Sequence, residues 1–327
     1  MVFGAGPGAM RVGAVTGVDA AGRRAPGFLR VDGAALELVL PAAFVDTAAL
    51  PLVLDPLVGS DFAVTADAAT DGDPSAAYDA SNDLYLVAWT SATVAAREVR
   101  AQRVTSGGGL VGPLLVLASE VGTGTVASAR TGSCDDTDRF LVAWTRLVPG
   151  FIPDYSIRAV AVSAASGATS GTLTIDATLS GTQFVERPSV ASASAPGDQD
   201  LLVLYSHTGE VRARSVSVPA AGNPSAGPSV TVAAGSTLEP DLSPGQSSAG
   251  HHLAVWARVG APFDADAFGR VLDDDGNPVG AEFVVAGTNT ASEFPTCDAN
   301  VGAGFAVAVS RTEGLFFGAP RLSLIHI

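Results

Sequence analysis

The residues of this 327-residue chain that could do chemistry are mainly its carboxylates, because the usual nucleophile and metal-ligand sets are sparse. Histidine occurs only at His207, His251, His252 and His326, and cysteine only at Cys134 and Cys297. Acyl-transfer chemistry of the Ser-His-Asp kind presents its serine on a strained Gly-x-Ser-x-Gly elbow. No such elbow occurs, and the string GQSSAG over 245–250 is the nearest approach. His251 and His252 open an apolar run, which reads as the tip of a hairpin. Two distant cysteines make neither a disulfide framework nor a zinc motif, so buried reduced thiols are expected. The sequence assigns no catalytic residue.

The carboxylates are more patterned. Asp73, Glu186, Glu239 and Glu293 each stand one or two places before a proline, at Pro74, Pro188, Pro240 and Pro295. On equivalent loops they would form a partial anionic ring for a cation or a cationic ligand. The competing reading is a solvated acidic surface. The string LDDDGNPVGAE over 272–282 invites calcium as a cofactor. Asp273 and Asp275 fall in the third and fifth places of an EF-type loop, with Gly276 sixth and Glu282 twelfth. The first place is then Val271, which cannot chelate, so a hairpin turn competes with the metal reading. A third candidate is the long loop over 145–156, where Leu147, Phe151 and Tyr155 lie among Pro149 and Pro153. Apolar side chains on such a loop are expected to form a contact surface for a ligand.

Composition narrows the partners. There are 33 acidic residues against 18 basic ones, every basic one is Arg, and the net charge is −15. Phosphate neutralisation needs clustered cations, so nucleic acid and anionic membrane surfaces are excluded as partners. Membrane insertion is not expected either. The most apolar stretch, over 34–58, is interrupted by Glu37, Pro41, Asp46, Pro51, Asp55 and Pro56. The N-terminus has no basic segment followed by a continuous apolar one, so no signal peptide is visible.

The elements that must position these residues form a repeat. Five apolar runs recur: Leu84–Trp89, Phe140–Trp144, Leu201–Tyr205, His252–Trp256 and Phe305–Val309. Their last residues are 51 to 61 positions apart. Most are preceded by the unit proline; the second unit lacks it and has Gly132 nearby. Each of the first four runs is followed by a second apolar piece, a Gly- or Asp-rich turn and a short closing run such as Leu114–Leu117. Each complete unit therefore reads as four short strands separated by hairpin turns. The second strand is apolar at consecutive positions, which means burial on both faces of a sheet. Small sheets covered on both faces and repeated about every 50 residues stack radially, as in a β-propeller. The predicted fold is all-β, with four complete blades and part of a fifth. The units lie near 74–118, 126–177, 188–234, 240–287 and 294–321, inside a propeller region of 60–321. Trp89, Trp144, Tyr205 and Trp256 are expected to be buried between blades.

The strings PSAAYDASNDLYLVAW and VRAQRV, over 74–104, and HHLAVWARVG with GRVLDDDGNPVGAEF resemble a blade repeat of large secreted proteins from GC-rich bacteria. The resemblance covers about residues 62 to 322 and implies the fold, a bacterial source and secretion rather than an activity. Residues 1–59 differ from the repeat. Their end, Leu50-Pro51-Leu52-Val53-Leu54-Asp55-Pro56, resembles the closing strand of a β-rich surface-protein domain, so 1–59 reads as the C-terminal remnant of one plus a linker. The string DFAVTA over 61–66 reads as a lone strand placed to complete the last blade or to pair outside an open arc. Residues 322–327 resemble a translated sequencing adapter. They are expected to be a non-native tail on a truncated metagenomic fragment.

Together these readings give a non-catalytic binding or scaffolding module of a larger extracytoplasmic protein, secreted or at the cell surface, with an extracellular protein or glycan as ligand. The alternative is a propeller glycoside hydrolase or lyase acting on extracellular polysaccharide. It would need two carboxylates converging at the channel mouth.

Overall fold

The computed structural model describes residues 2–3, 10–11, 15–32, 35–50, 52–56, 63–66, 69–151, 153–178, 185–192, 197–235, 237–242, 251–259, 265–287, 291–300, 304–313 and 321–326. The chain divides into two compact units, Met1–Ala63 and Val64–Ile327. No helix among the described residues is long and apolar enough to cross a membrane.

The first unit is small and β-rich. Val15–Val18 pairs antiparallel with Arg24–Pro26 on one side and with Val53–Pro56 on the other. Phe28–Asp32 and Ala35–Val39 form a hairpin, and Ala42–Val45 makes one helical turn. The turn after Val18 is held by buried Asp19, whose Oδ1 accepts the Ala21 and Arg23 amides at 3.0 and 2.8 Å. Burial alone would raise this carboxyl. The Arg23 amide and guanidinium and the Ala49 amide outweigh burial and hold it below the ordinary range.

The second unit is a β-propeller of successive antiparallel sheets. Blade 1 runs outward from its innermost strand, Thr70–Asp79, through Leu84–Ala92 and Ala96–Thr105 to Leu110–Val121. Blade 2 repeats this with Thr125–Cys134, Arg139–Val148, Asp154–Ser163 and Leu173–Thr178. Blade 3 has Val185–Val190, Asp200–His207 and Glu210–Ser217, and its outermost strand is broken into Ser225–Ala226 and Val230–Ala233. Blade 4 comprises Thr237–Leu242, His251–Val259, Ala265–Asp273 and Phe283–Ala286. A fifth sheet of Ala291–Asn300, Gly304–Glu313 and Arg321–His326 joins blade 4 through one parallel bridge, Ala265 to Ser292. The adapter-like residues thus pair as its third strand, Ser323 opposite Val309 and Ile325 opposite Val307.

Alternation along the second strands explains the stacking. In blade 2, Phe140, Val142 and Trp144 enter the core shared with blade 1, while Leu141 and Ala143 enter the core shared with blade 3. Leu201, Val203 and Tyr205 answer from blade 3, whose Leu202 and Leu204 meet Ala254 and Trp256 of blade 4. Leu253 and Val255 then meet Phe305, Val307 and Val309 of blade 5. A period-two strand buried on both faces therefore supplies two cores at once. The four aromatic ends are buried, with Trp89, Trp144, Tyr205 and Trp256 3%, 2%, 0% and 0% exposed, and Trp144, Tyr205 and Trp256 lie between blades as expected. By the same parity Trp89 lies on the face of blade 1 away from blade 2.

Packing runs from blade 1 to 2, 2 to 3, 3 to 4 and 4 to 5, and among the described residues no comparable packing joins blade 5 to blade 1. The strand expected over 61–66 is not formed at 63–66, which join no strand among the described residues, while 61 and 62 lie outside them. Cys134 and Cys297 are buried free thiols, and their sulfurs approach the carbonyl oxygens of Asp198 and Leu253 at 3.6 and 3.3 Å. Burial pushes the Cys134 thiol up, which keeps it unreactive.

Candidate functional site

The strand directions bring most of the predicted site residues to one end of the blades. This end holds the starts of the innermost strands and the loops from second to third strands. Each innermost strand of blades 1 to 4 carries a bulge there, at Asp73-Pro74, Ser128-Ala129, Arg187-Pro188 and Glu239-Pro240. Asp73, Ser128 and Arg187 have φ values of 51°, 53° and 56°, which explains the break in the ladder. Proline suits the second bulge position, where no ladder N–H has to be donated. In blade 2 the proline's place is taken by Ala129, not by the nearby Gly132.

The bulges also tie neighbouring blades. The Ser128 amide donates to Asp73 Oδ2 at 3.2 Å, and the Arg187 amide donates to Thr145 Oγ1 at 3.0 Å. Asp73 and Glu239 share the first bulge position. Glu186 stands one residue earlier, opposite Ser206, and Glu293 lies in an unbulged strand opposite Arg311. The four acids therefore share an end but not a ring of equivalent positions. The side chains of Glu186, Glu239 and Glu293 lie outside the described residues.

The loop expected over 145–156 is shorter, because Thr145 to Val148 pair with Asp154 to Ile157 as strand; what remains, 149–153, is at the same end. Phe151 is fully exposed, at 105%. Both feet of the loop are fixed by Arg146, which pairs with Glu120 at 2.5 Å and with Asp154 at 3.2 Å. Tyr155 behaves differently. It sits in the third strand opposite Leu147 and packs, half-buried, against the core between blades 2 and 3. Between blades 1 and 2 lies an open groove of about 330 Å³, lined by Thr70, Thr90, Ser91, Ala92, Arg97, Thr125 and Val126. Ser91 is 2% exposed and its hydroxyl has no hydrogen-bond partner among the described residues.

Sequence reasoning missed a further pair at this end. His207 Nδ1 lies 3.1 Å from Asp176 Oδ2, across the junction of blades 2 and 3. Arg212 reaches the same oxygen at 3.9 Å and holds Glu210 at 2.9 Å. Beside it the Tyr205 hydroxyl meets Ser229 Oγ at 3.0 Å, and burial pushes the phenol pKa up. His207 and Asp176 come from different units, so no local spacing announces them.

The opposite end gathers aspartates from the hairpin turns. Asp79 is fully buried, and its Oδ1 accepts the Asn82 amide at 2.8 Å. Asp79 Oδ2 and Asp135 Oδ1 are buried without a hydrogen-bond partner among the described residues. Burial, then the Asp79 charge, pushes the Asp135 carboxyl up. Asp273 and Asp275 are also here. Asp273 Oδ1 accepts the amides of Asp275 and Asn277 at 3.1 and 2.7 Å, so this carboxylate builds the hairpin turn. Among the described residues no group of three or more His, Cys, Asp or Glu is placed to hold a metal ion.

No protein-family model matches this sequence, and no curated protein matches it. Solved structures resemble it in shape. The catalytic domain of the Coprinopsis cinerea GH62 α-L-arabinofuranosidase is 10% identical, with 78% of this chain and 89% of that chain covered and a TM-score of 0.43. A GH43 β-1,3-galactosidase with galactodeoxynojirimycin is 8% identical over 73% of this chain and 85% of that chain, with a TM-score of 0.46. A Synechocystis apocarotenoid oxygenase mutant is 8% identical over 88% of this chain and 64% of that chain, with a TM-score of 0.49. Their names state different reactions, so the resemblance carries no activity to this chain.

Proposed function

We propose that this propeller is a non-catalytic recognition module of a larger secreted or cell-surface bacterial protein, and that it binds an extracellular glycan at the Phe151 end. The observation that carries this reading is the groove between blades 1 and 2. Its hydroxyls from Thr70, Thr90, Ser91 and Thr125 and its single guanidinium from Arg97 suit a neutral, hydroxyl-rich ligand. The Ser91 hydroxyl, buried and unpartnered, gains a hydrogen bond when such a ligand enters. Phe151 adds an exposed apolar platform on a loop already fixed by Arg146, so little order is lost on binding.

Affinity electrophoresis in gels containing neutral polysaccharides tests the reading. Retardation of the wild type, reduced at least about tenfold in apparent affinity by Arg97→Ala or Phe151→Ala at unchanged Tm, supports it. Wild-type mobility unchanged by every neutral polysaccharide overturns it. The hydrolase reading is kept open by one observation, the gathering of Asp73, Glu186 and Glu239 at this end. Glycoside hydrolysis needs two carboxyl groups roughly 5 to 10 Å apart. Release of reducing sugar that stops in Asp73→Asn would replace the binding reading with it.

A further inference from the structure

Two of the four junctions between blades are bridged by an arginine, and the junction of blades 3 and 4 carries an aspartate in its place. Leu84, Arg139 and Asp200 occupy one register position, the first residue of the second strand in blades 1, 2 and 3. Their partner row places Arg103, Ala161 and Ser215 opposite Leu86, Leu141 and Leu202. At the junction of blades 1 and 2 the Arg103 guanidinium donates to the carbonyls of Ala164 and Ala165 at 2.8 and 2.6 Å. At the junction of blades 2 and 3 the Arg139 guanidinium donates to the carbonyls of Pro219 and Gly222, both at 2.9 Å. In each case a cation from one blade seats on the third-to-outermost turn of the next.

At the junction of blades 3 and 4 both positions are different: Asp200 replaces Arg139, and Ser215 replaces Arg103. The turn that blade 4 offers carries Asp275 and Asn277. Gly276 presses that turn onto blade 3, for a Cβ there would stand 2.9 Å from the Ala213 Cβ. A cleft of about 420 Å³ results, lined by Asp200, Ser215, Ser217, Asp275 and Asn277 and by the Gly227-Pro228 break in the outermost strand. Neither Asp200 nor Asp275 has an ion-pair partner among the described residues. Burial and then the charges of Asp198 and Asp273 push the nearby Asp274 carboxyl up, against the opposing pull of His251.

We infer that this cleft binds a guanidinium group from outside the chain, in the place that Arg103 fills between blades 1 and 2 and Arg139 between blades 2 and 3. Carboxylates on two facing walls suit a planar fork of donors, and the serine hydroxyls accept what remains. The site lies at the opposite end of the blades from the groove, so it does not rest on the glycan reading. The guanidinium comes either from a small molecule or from an arginine side chain of a protein segment.

Titration calorimetry on the whole chain separates these. The probes are agmatine, an uncharged butylurea and a short arginine-containing peptide. Agmatine binding that falls at least about tenfold in Asp200→Asn and in Asp275→Asn, but not in Asp71→Asn at the other end, supports the site for a small molecule. Peptide binding with the same variant pattern and no agmatine binding assigns the arginine to a protein segment. Asp200→Arg supplies the missing cation internally, and should raise Tm while abolishing binding of either probe. The inference is overturned if neither cation binds at millimolar concentration, if butylurea binds as well as agmatine, or if Asp71→Asn weakens binding as much as the cleft variants. A folded Asp200→Arg that still binds its probe also overturns it.

Discussion

Ser128 donates its backbone N–H to the Asp73 carboxylate at 3.2 Å, so a bulge in blade 1 is bonded to the matching bulge in blade 2. Both residues hold left-handed backbone, with φ of 53° and 51°. Aspartate and asparagine tolerate this region better than most residues, and a β-branched residue tolerates it least. Asp73→Asn keeps an acceptor and the tolerance, and should stay within about 0.5 kcal/mol of wild type. Asp73→Val loses both and should cost about 2 kcal/mol. Urea midpoints measure the difference, and equal midpoints for the two variants would remove the structural role of this residue.

The interblade aromatics give a second test. Trp144 is 2% exposed in the core of blades 1 and 2, and its indole N–H reaches no acceptor among the described residues. Trp144→Ala should cost roughly 3 to 5 kcal/mol through the cavity it leaves. Trp144→Phe keeps much of the apolar contact and deletes the unpaired donor, so its cost should be less than half of that. A phenylalanine variant as unstable as the alanine one would show that the N–H has a partner after all.

The repeat is legible in the sequence because each second strand feeds two cores, which forces apolar residues at consecutive positions. Phe140 to Trp144 display that as an unbroken apolar run. The carboxylate pattern is only half legible. Asp73 and Glu239 do share a bulge position, but Glu186 precedes its proline by two residues and falls outside it. A one-residue slip in a strand turns a side chain to the other face, and counting from prolines cannot see the slip. The same limit hides Ala129, which does a proline's work without the ring. Asp200 and Arg139 share a register position while carrying opposite charge, so a search for recurring residue types passes over them.

Gly276 tests how blade 4 meets blade 3. Its φ is +83°, and a Cβ would stand 2.9 Å from the Ala213 Cβ and 3.0 Å from Leu202 Cδ1. Gly276→Ala combines left-handed strain with overpacking and should cost about 3 kcal/mol. Gly280, four residues on, has open space at its Cβ, so Gly280→Ala should be close to neutral. Thermal denaturation of the two variants checks this, and equal Tm values would mean that the turn does not press on blade 3.

His252 sets the expected response of this junction to acid. It is 1% exposed, with Nε2 3.6 Å from Asp274 Oδ1. Burial first, and then the neighbouring His251 charge, pushes its pKa down to about 4 against the opposing pull of Asp273. An unfolded histidine titrates near about 6.5. As pH falls from about 6.5, the unfolded chain takes up the proton before the folded one does. Folding stability therefore declines from about pH 6.5 and levels off below about pH 4, a loss of roughly 3 kcal/mol at most. Phe140 is fully buried at the equivalent place in blade 2, so His252→Phe should fit and should remove this slope. Unfolding free energies measured from pH 7 to 4 should converge between the two proteins toward neutral pH and part in acid. Parallel profiles would mean that the imidazole is already charged in the folded state.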